Sequence, residues 1–338
     1  MRAFFLNGVK NVSVLDIDEP DLKENEVKIR VMACGVCGSD IHSYYGKNPL
    51  IKYPVVPGHE LSGIVVESKS SLFHSGDRVV VDPNIPCNKC RYCRSGKKNF
   101  CEHFTSIGNN IYGGFAEYVN VPDSQVYKIP DNLSYERASV TEPVACLIHG
   151  LDIVNAKIGE SALILGAGFI GLTFFQILKN MGYNPLIVAE LNEYRKNIAR
   201  ELGADVVIGN IKNYVKEKTG NYGVDLIVDT TGSMKLLEES IDIISNDGRI
   251  LAFAVYDPDA YASIKPSLIY QKEIKIAGEF TNPYTMERSL NLISSGAINL
   301  DILLNKKVDI NNIESALNGS IKDSIKVIVN NSDNHLCK

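Results

Sequence analysis

The sequence predicts an α/β protein, with a mostly β first third followed by a doubly wound parallel sheet. Three observations lead there. The first third consists of short alternating runs (VSVLDI, EVKIRVMA, SGIVVE, DRVVVDP, GFAEYVNV) separated by Gly, Pro, Asn and Asp, the pattern of strands between turns. Near Leu133 the texture changes, and LSYERASVTEPVACLIHGLDIV carries apolar residues at helical spacing. From Ser161 onward strand-like and helix-like segments alternate, which is the rhythm of βαβ units.

Taken in order, SALILG reads as a strand and FIGLTFFQILKNMG as a helix. PLIVAE is a strand, and NEYRKNIARELG is a helix ending at Gly203. DLIVDT is a strand, MKLLEESIDIIS a helix, and GRILAFAV and EIKIAGEF are further strands. After Pro283, YTMERSLNLISSG is helical and ends at Gly296, and SIKVIVN is a strand expected to return to the first domain. The expected domains are residues 1–146, with a cysteine lobe over 82–104, then 147–283, then a return to the first domain over 284–338.

Composition narrows the function. The chain has 338 residues, 45% of them hydrophobic, and a formal net charge of −5. That is enough apolar content for large cores. It carries no long run of one sign, which argues against a nucleic-acid or membrane-surface partner. Apolar stretches such as Ala162–Leu165 are far too short to span a bilayer. The N-terminus has no sustained apolar segment and no small-residue cleavage site, so a cytoplasmic location is expected. In a reducing compartment the eight cysteines are not expected to form disulfides.

GAGFIG places Gly166, Gly168 and Gly171 in G-x-G-x-x-G form around Phe169 and Ile170, between a strand and a helix. The first glycine permits a tight turn, and the second lets backbone approach a pyrophosphate. The third permits close helix–strand packing, and the helix N-terminus offers free N–H groups to phosphates. The next strand ends at Glu190, about twenty residues on, where a carboxylate bonds ribose hydroxyls and repels a 2′-phosphate. NAD is therefore preferred over NADP. Arg195 could flank the adenosine ribose or simply be an exposed helix arginine.

CNKCRYCRSGKKNFC spaces Cys87, Cys90, Cys93 and Cys101 as C-x-x-C-x-x-C-x7-C. Four thiolates in one loop can close a tetrahedral, structural zinc site with no open position; an iron–sulfur cluster also uses four cysteines. The adjacent Lys97–Lys98 pair reads as a solvated edge. A second constellation, GVCGSDIH and PGHE, holds Cys37, Ser39, Asp40, His42, His59 and Glu60. Catalytic zinc takes three protein ligands and keeps an open position. Cys37 and His59 supply two, and the third is Glu60 or Glu142 of TEPVAC.

These motifs together resemble the zinc-containing medium-chain dehydrogenase/reductase family, in its sorbitol (polyol) and threonine dehydrogenase branch. The resemblance runs over nearly the whole chain, through PGHELSG, the cysteine lobe, GGFAEYVNVP, TEPVAC, GAGFIG, VDTTG and GEFTNPYTMERSLNLISSG. It implies a GroES-like catalytic domain beside a Rossmann domain, two zinc ions per subunit and NAD. It implies that Cys37 and His59 ligate the catalytic zinc, with Glu60 or Glu142 binding directly or through water. By resemblance Asp40 orients the zinc histidine, and Ser39 and His42 relay the alcohol proton to solvent. Read by themselves, Ser39 and Asp40 could equally cap a short helix and His42 could be a surface histidine. The resemblance further implies a homo-oligomer, dimer or tetramer.

The implied reaction is hydride transfer from a secondary alcohol of a polyol, with a threonine or simple secondary-alcohol substrate as the sibling reading. A non-enzymatic protein binding zinc and NAD is the competing class. Lys47, Lys52 or Arg288 would be available to a phosphorylated substrate, although each also reads as an ordinary surface cation. Two positions depart from the family pattern. Lys69 stands where a second glycine usually follows GHE, so a turn there must be rebuilt. FAVYDP has Ala254 and Val255 in place of the usual Val–Gly pair, with Val255 as the nicotinamide contact. Cys34 and Cys146 are expected to be small buried hydrophobes, and Cys337 a tail thiol. His74, His103, His149 and His335 receive no role.

Overall fold

A computed structural model of the chain describes residues 1–330; Cys337 and His335 lie outside them. The chain divides into two compact units. Among the described residues, one comprises Met1–Ala145, Thr281–Gly296 and 303–330, and the other Cys146–Phe280 and Ala297–Ile302. Among the described residues no helix is long and apolar enough to cross a membrane.

The first unit is built on a seven-stranded sheet whose hub is the strand Glu26–Gly35. From Glu26 to Ala33 its residues alternate between half-buried and buried, as expected for a strand with one face on a core, and Cys34 and Gly35 at its end are both buried. It pairs antiparallel with Glu60–Ser68, Tyr118–Pro122 and Val327–Asn330. The last of these is the predicted returning strand. Gly35 lies opposite both Glu60 and Ile328, so the register of two pairings sets what surrounds Glu60. Phe4, Leu6, Ile29, Leu61 and Phe115 fill the core.

The second unit is a six-stranded, wholly parallel sheet. Its spatial order is Asp205–Val207, Leu186–Ala189, Ala162–Leu165, Val224–Asp229, Ile244–Ala252, Lys275–Gly278. In chain order this is 3-2-1-4-5-6, the Rossmann arrangement. Ala162–Leu165 and Leu186–Ala189 are buried at every position, because helices cover both faces of such a sheet. The helix Glu193–Glu201 starts where Asn192 accepts a hydrogen bond from the Arg195 N–H, and Gly203 follows it at φ +90, as a left-handed terminator does.

Several elements were not legible beforehand. The strand Asp205–Val207 has three residues, and the helix Ile211–Lys218 buries only Val215 among its eight; neither carries enough apolar periodicity to be read. The helix Pro266–Lys272 has no buried residue. The strand Arg2–Gly8 was likewise unread, and the helix Gly38–Tyr44 was open only as the alternative in which Ser39 and Asp40 cap it. The rebuilt turn at Lys69 is visible: the Lys69 N–H donates to the Glu26 carbonyl at 3.0 Å, and Asn25 N–H donates back to Lys69 at 3.1 Å. Asn25, at φ +61, takes the left-handed conformation, a role asparagine tolerates better than most residues. Position 69 therefore needs no glycine.

Gly63 is different. A Cβ there would sit 2.1 Å from the Arg30 carbonyl oxygen of the facing strand. Gly63→Ala should cost about 1–3 kcal/mol through forced separation of the two strands, read as a lower denaturation midpoint in urea. An unchanged midpoint would show that the pairing is looser than the register implies.

Candidate metal centres and cofactor loop

The four-cysteine segment is a loop around two short turns. Cys90 precedes the helix Arg91–Arg94, Cys93 lies within it, and Cys101 follows the 3-10 turn Lys98–Phe100. The four sulfurs all lie within 4.8 Å of one another. Cys90 Sγ is 3.5 Å from Cys93 Sγ and 4.0 Å from Cys101 Sγ. Bonds of about 2.3 Å to a tetrahedral zinc put sulfurs about 3.8 Å apart, so the spacing fits that ion. Backbone N–H groups of Cys87 and His103 donate to Cys101 Sγ, and that of Cys90 to Cys87 Sγ. Such donors favour the thiolate. The N–H groups of Cys93 and Glu102 pull Cys90 down to about 6. None of the seven described cysteines is in a disulfide. Cys34 is fully buried and Cys146 only partly so.

Lys98 is not the solvated edge expected of it. Its Nζ lies 3.0 Å from Asp82 Oδ2, and Asp82 has no exposure to water. The same ammonium stands 4.9 Å from the centre of the Tyr284 ring, a cation–π distance. Asp82 also receives the Asn84 N–H at 3.1 Å, and Asn84 Nδ2 donates to Asn282 Oδ1 at 2.6 Å. The lysine thus ties the cysteine lobe to the sheet. A buried acid demands a cation, but nothing in the local sequence reveals that Asp82 is the one beneath it.

The second constellation assembles around the start of the strand Glu60–Ser68. Cys37, His59 and Glu60 bring one ligand atom each within 4.8 Å of one another. Three devices place them. Cys37 begins the helix Gly38–Tyr44, where its N–H donates to Asp40 Oδ2 at 2.9 Å. Gly58 is at φ +90, and a Cβ there would lie 2.5 Å from the Phe115 ring. Gly35 leaves room for Glu60, since its Cβ would fall 2.0 Å from Glu60 Oε2.

His59 is buried, with Nδ1 3.5 Å from Asp40 Oδ1 and Nε2 3.4 Å from Ser39 Oγ. Burial is the largest influence on its pKa and favours the neutral ring; Asp40 and Cys37 outweigh it and hold the value well above the ordinary one. A soft thiolate, an imidazole and a carboxylate converging in this way suit zinc. Asp40 therefore both caps the helix and faces the histidine. Ser39 lies one turn from His42 on the same helix face. Glu142, the second residue of the helix Thr141–Ile153, is buried but does not join the group of three.

Lys326 completes this site and was missed from sequence. Its Nζ is 2.6 Å from Glu60 Oε1 and 2.5 Å from Oε2, and both side chains are buried. In SIKVIVN a lysine ahead of an apolar run reads as a solvent-facing residue. Only the pairing of Val327–Asn330 with Glu26–Gly35 brings it over Glu60.

In the second unit the glycine loop has the geometry its pattern requires. Gly166 is at φ +96 and its Cβ would lie 2.7 Å from Thr230 Oγ1. A Cβ on Gly171 would lie 2.0 Å from the Gly166 carbonyl oxygen, the close packing expected of the third glycine. Gly168 precedes the helix Phe169–Asn180, and the space before its missing side chain is open, leaving room for a phosphate at the helix N-terminus. Glu190 Oε2 accepts the Ala167 N–H, and Oε1 accepts those of Leu191 and Asn192, all at 2.8 Å. Phe169 is buried, Arg195 is exposed, and Val255 is 60% exposed.

Two substitutions test the ion pairs. Lys98→Met should destabilise the zinc-loaded protein by about 3 kcal/mol, by leaving Asp82 buried and uncompensated, and should speed zinc loss to a chelator. Lys326→Met should cost about 3–5 kcal/mol in metal-free protein. That cost should shrink when zinc is added, because a bound cation also compensates Glu60; denaturation with and without zinc reads both.

Comparison with known proteins agrees with this picture. Residues 23–131 match the alcohol dehydrogenase GroES-like domain, and residues 170–295 match the zinc-binding dehydrogenase domain. The chain is 33% identical over 326 residues to D-arabinitol dehydrogenase 1 of Uromyces fabae, covering 94% of this chain and 93% of that protein. It is 32% identical over 335 residues to D-arabitol-phosphate dehydrogenase of Enterococcus avium, covering 95% and 94%. A zinc-binding dehydrogenase structure from Sinorhizobium meliloti 1021, bound to NADP, superposes with a TM-score of 0.92 at 31% identity, covering 97% of this chain and 98% of that one. The chain belongs to the zinc-dependent medium-chain dehydrogenase family, in its polyol branch, and is an oxidoreductase acting on CH–OH groups with zinc and a nicotinamide cofactor.

Proposed function

We propose that the chain oxidises a secondary alcohol of a polyol or polyol phosphate to the ketone, reversibly and with NAD. The observation that carries this reading is the convergence of Cys37, His59 and Glu60, with Lys326 behind the carboxylate. Cys37 and His59 hold the catalytic zinc, and Glu60 or Glu142 supplies the carboxylate. A zinc ion held there would supply Lewis acidity toward a substrate hydroxyl, and a bound nicotinamide would supply the hydride acceptor.

The protein's own groups do the rest. Asp40 sets the orientation of the His59 ring. Lys326 holds the Glu60 side chain in place through both carboxylate oxygens. Ser39 receives the hydroxyl proton and His42 passes it outward. Gly166, Gly168, Phe169, Ile170 and Gly171 take the pyrophosphate, with Val255 beside the nicotinamide and Arg195 flanking the adenosine. Glu190 is a carboxylate already held by three N–H groups, so it meets the ribose as a fixed negative charge and favours NAD over NADP. In this reading residues 1–146 and 284–338 form the catalytic domain and 147–283 the cofactor domain. The working form is a homo-oligomer in the cytoplasm.

The test is a panel of polyols, polyol phosphates, L-threonine and simple secondary alcohols with NAD and NADP in parallel. Reduction of NAD by a polyol or its phosphate is expected. Activity on threonine alone, or with NADP alone, overturns the substrate or the cofactor assignment. Cys37→Ala should lower turnover by about 10³-fold or more while NADH binding, read by fluorescence, persists.

A further inference from the structure

The carboxyl edge of the parallel sheet holds a buried acid that the reading above does not use. Asp229 ends the strand Val224–Asp229 and has no exposure to water. Its Oδ1 accepts the Thr231 N–H at 2.8 Å and the Thr231 hydroxyl at 2.6 Å. Its Oδ2 accepts the Tyr256 hydroxyl at 2.8 Å. Its backbone carbonyl accepts the N–H groups of Phe253 and Ala254, each at 3.1 Å. One residue therefore joins the two turns that leave neighbouring strands.

Those turns frame the glycine loop. Thr230 donates its hydroxyl and its N–H to the Leu165 carbonyl, at 2.7 and 3.0 Å, and its Oγ1 fills the space that the absent Gly166 Cβ leaves. Phe253 packs edge-on against Phe174 of the helix that follows the loop, with ring centres 5.1 Å apart. Gly232, at φ +71, brings its turn to within 3.2 Å, measured from its Cβ position, of the Val255 carbonyl oxygen. Val255 is thus held on one side by Phe253 and Ala254 and on the other by Tyr256, yet is itself 60% exposed. An exposed valine clamped from both sides is shaped to be touched. It stands where this chain departs from the family's usual Val–Gly pair.

We propose that Tyr256 is a positioning residue for the nicotinamide end of the cofactor, its hydroxyl fastening the Val255 loop to Asp229 at a set height above the glycine loop. The proposal rests on the cofactor reading of this edge. Burial first, then the bond to Asp229, holds the Tyr256 phenol far above its ordinary pKa, so it remains a donor throughout the working range.

The test is Tyr256→Phe in the zinc-loaded enzyme, titrated with NADH by fluorescence and assayed with NAD. Loss of this one hydrogen bond should weaken NADH binding about five- to tenfold. The KM for NAD should rise in step, with kcat changed less than about twofold. Wild-type affinity in the variant, or a fall in kcat at unchanged KM, overturns the proposal. Amide exchange on the wild type supplies an independent measurement if the variant fails to fold. NADH should slow exchange across residues 230–232 and 253–256 together, and unchanged exchange at 253–256 overturns the role. If the wild type binds neither NADH nor NADPH, the cofactor reading itself falls, and this inference with it. That result is distinct from normal wild-type binding with an indifferent variant.

Discussion

A carboxylate with no exposure to water is unstable unless positive charge surrounds it, and Glu60 is such a group. The arrangement around it follows from that constraint. Lys326 arrives from the end of the chain on a strand paired to Gly35, Gly35 gives up its side chain to make room, and a cation on the Cys37–His59 side fits the remaining face. The metal site is therefore an electrostatic consequence of burying Glu60 as much as a set of ligands. The same sheet register that buries the acid also supplies its partner.

The cysteine lobe meets a related problem by another route. A loop of this length has almost no apolar core, so an ion worth on the order of 10 kcal/mol of folding energy must hold it. The ion does not fix where the folded lobe sits. That task falls to Lys98, whose ammonium reaches the fully buried Asp82 and lies over Tyr284. Both metal regions thus depend on a lysine paired with a buried acid, and in both the acid lies on or beside a strand of the same sheet.

The cofactor end is governed by close approach. Gly166 and Gly171 are spaced so that a methyl group on either would strike Thr230 or the loop itself, which brings the strand, the loop and the helix N-terminus into contact. Glu190 then pins Ala167, and Asp229 joins the two neighbouring turns. These contacts are all made within the protein, and an edge fixed in this way lowers the ordering cost of binding.

Much of this was legible in the chain. Glycine spacing determined the tight turn at Gly166 and the close packing at Gly171, because only glycine tolerates that backbone and that proximity. Thiol spacing determined the closed lobe, because a short segment can wrap one tetrahedral ion. The alternation of strand-like and helix-like segments from Ser161 onward determined a doubly wound parallel sheet. These are local requirements, written within a few residues. The tertiary structure decided the rest: that Lys326 faces Glu60 across 266 residues of chain, that Lys98 is tethered and not solvated, that Tyr256 reaches Asp229, and that Cys37 comes within ligand distance of His59 and Glu60. Each of these is a long-range pairing of polar groups. Periodicity cannot register such pairings, because a buried charge is defined by what lies opposite it and not by its neighbours in sequence.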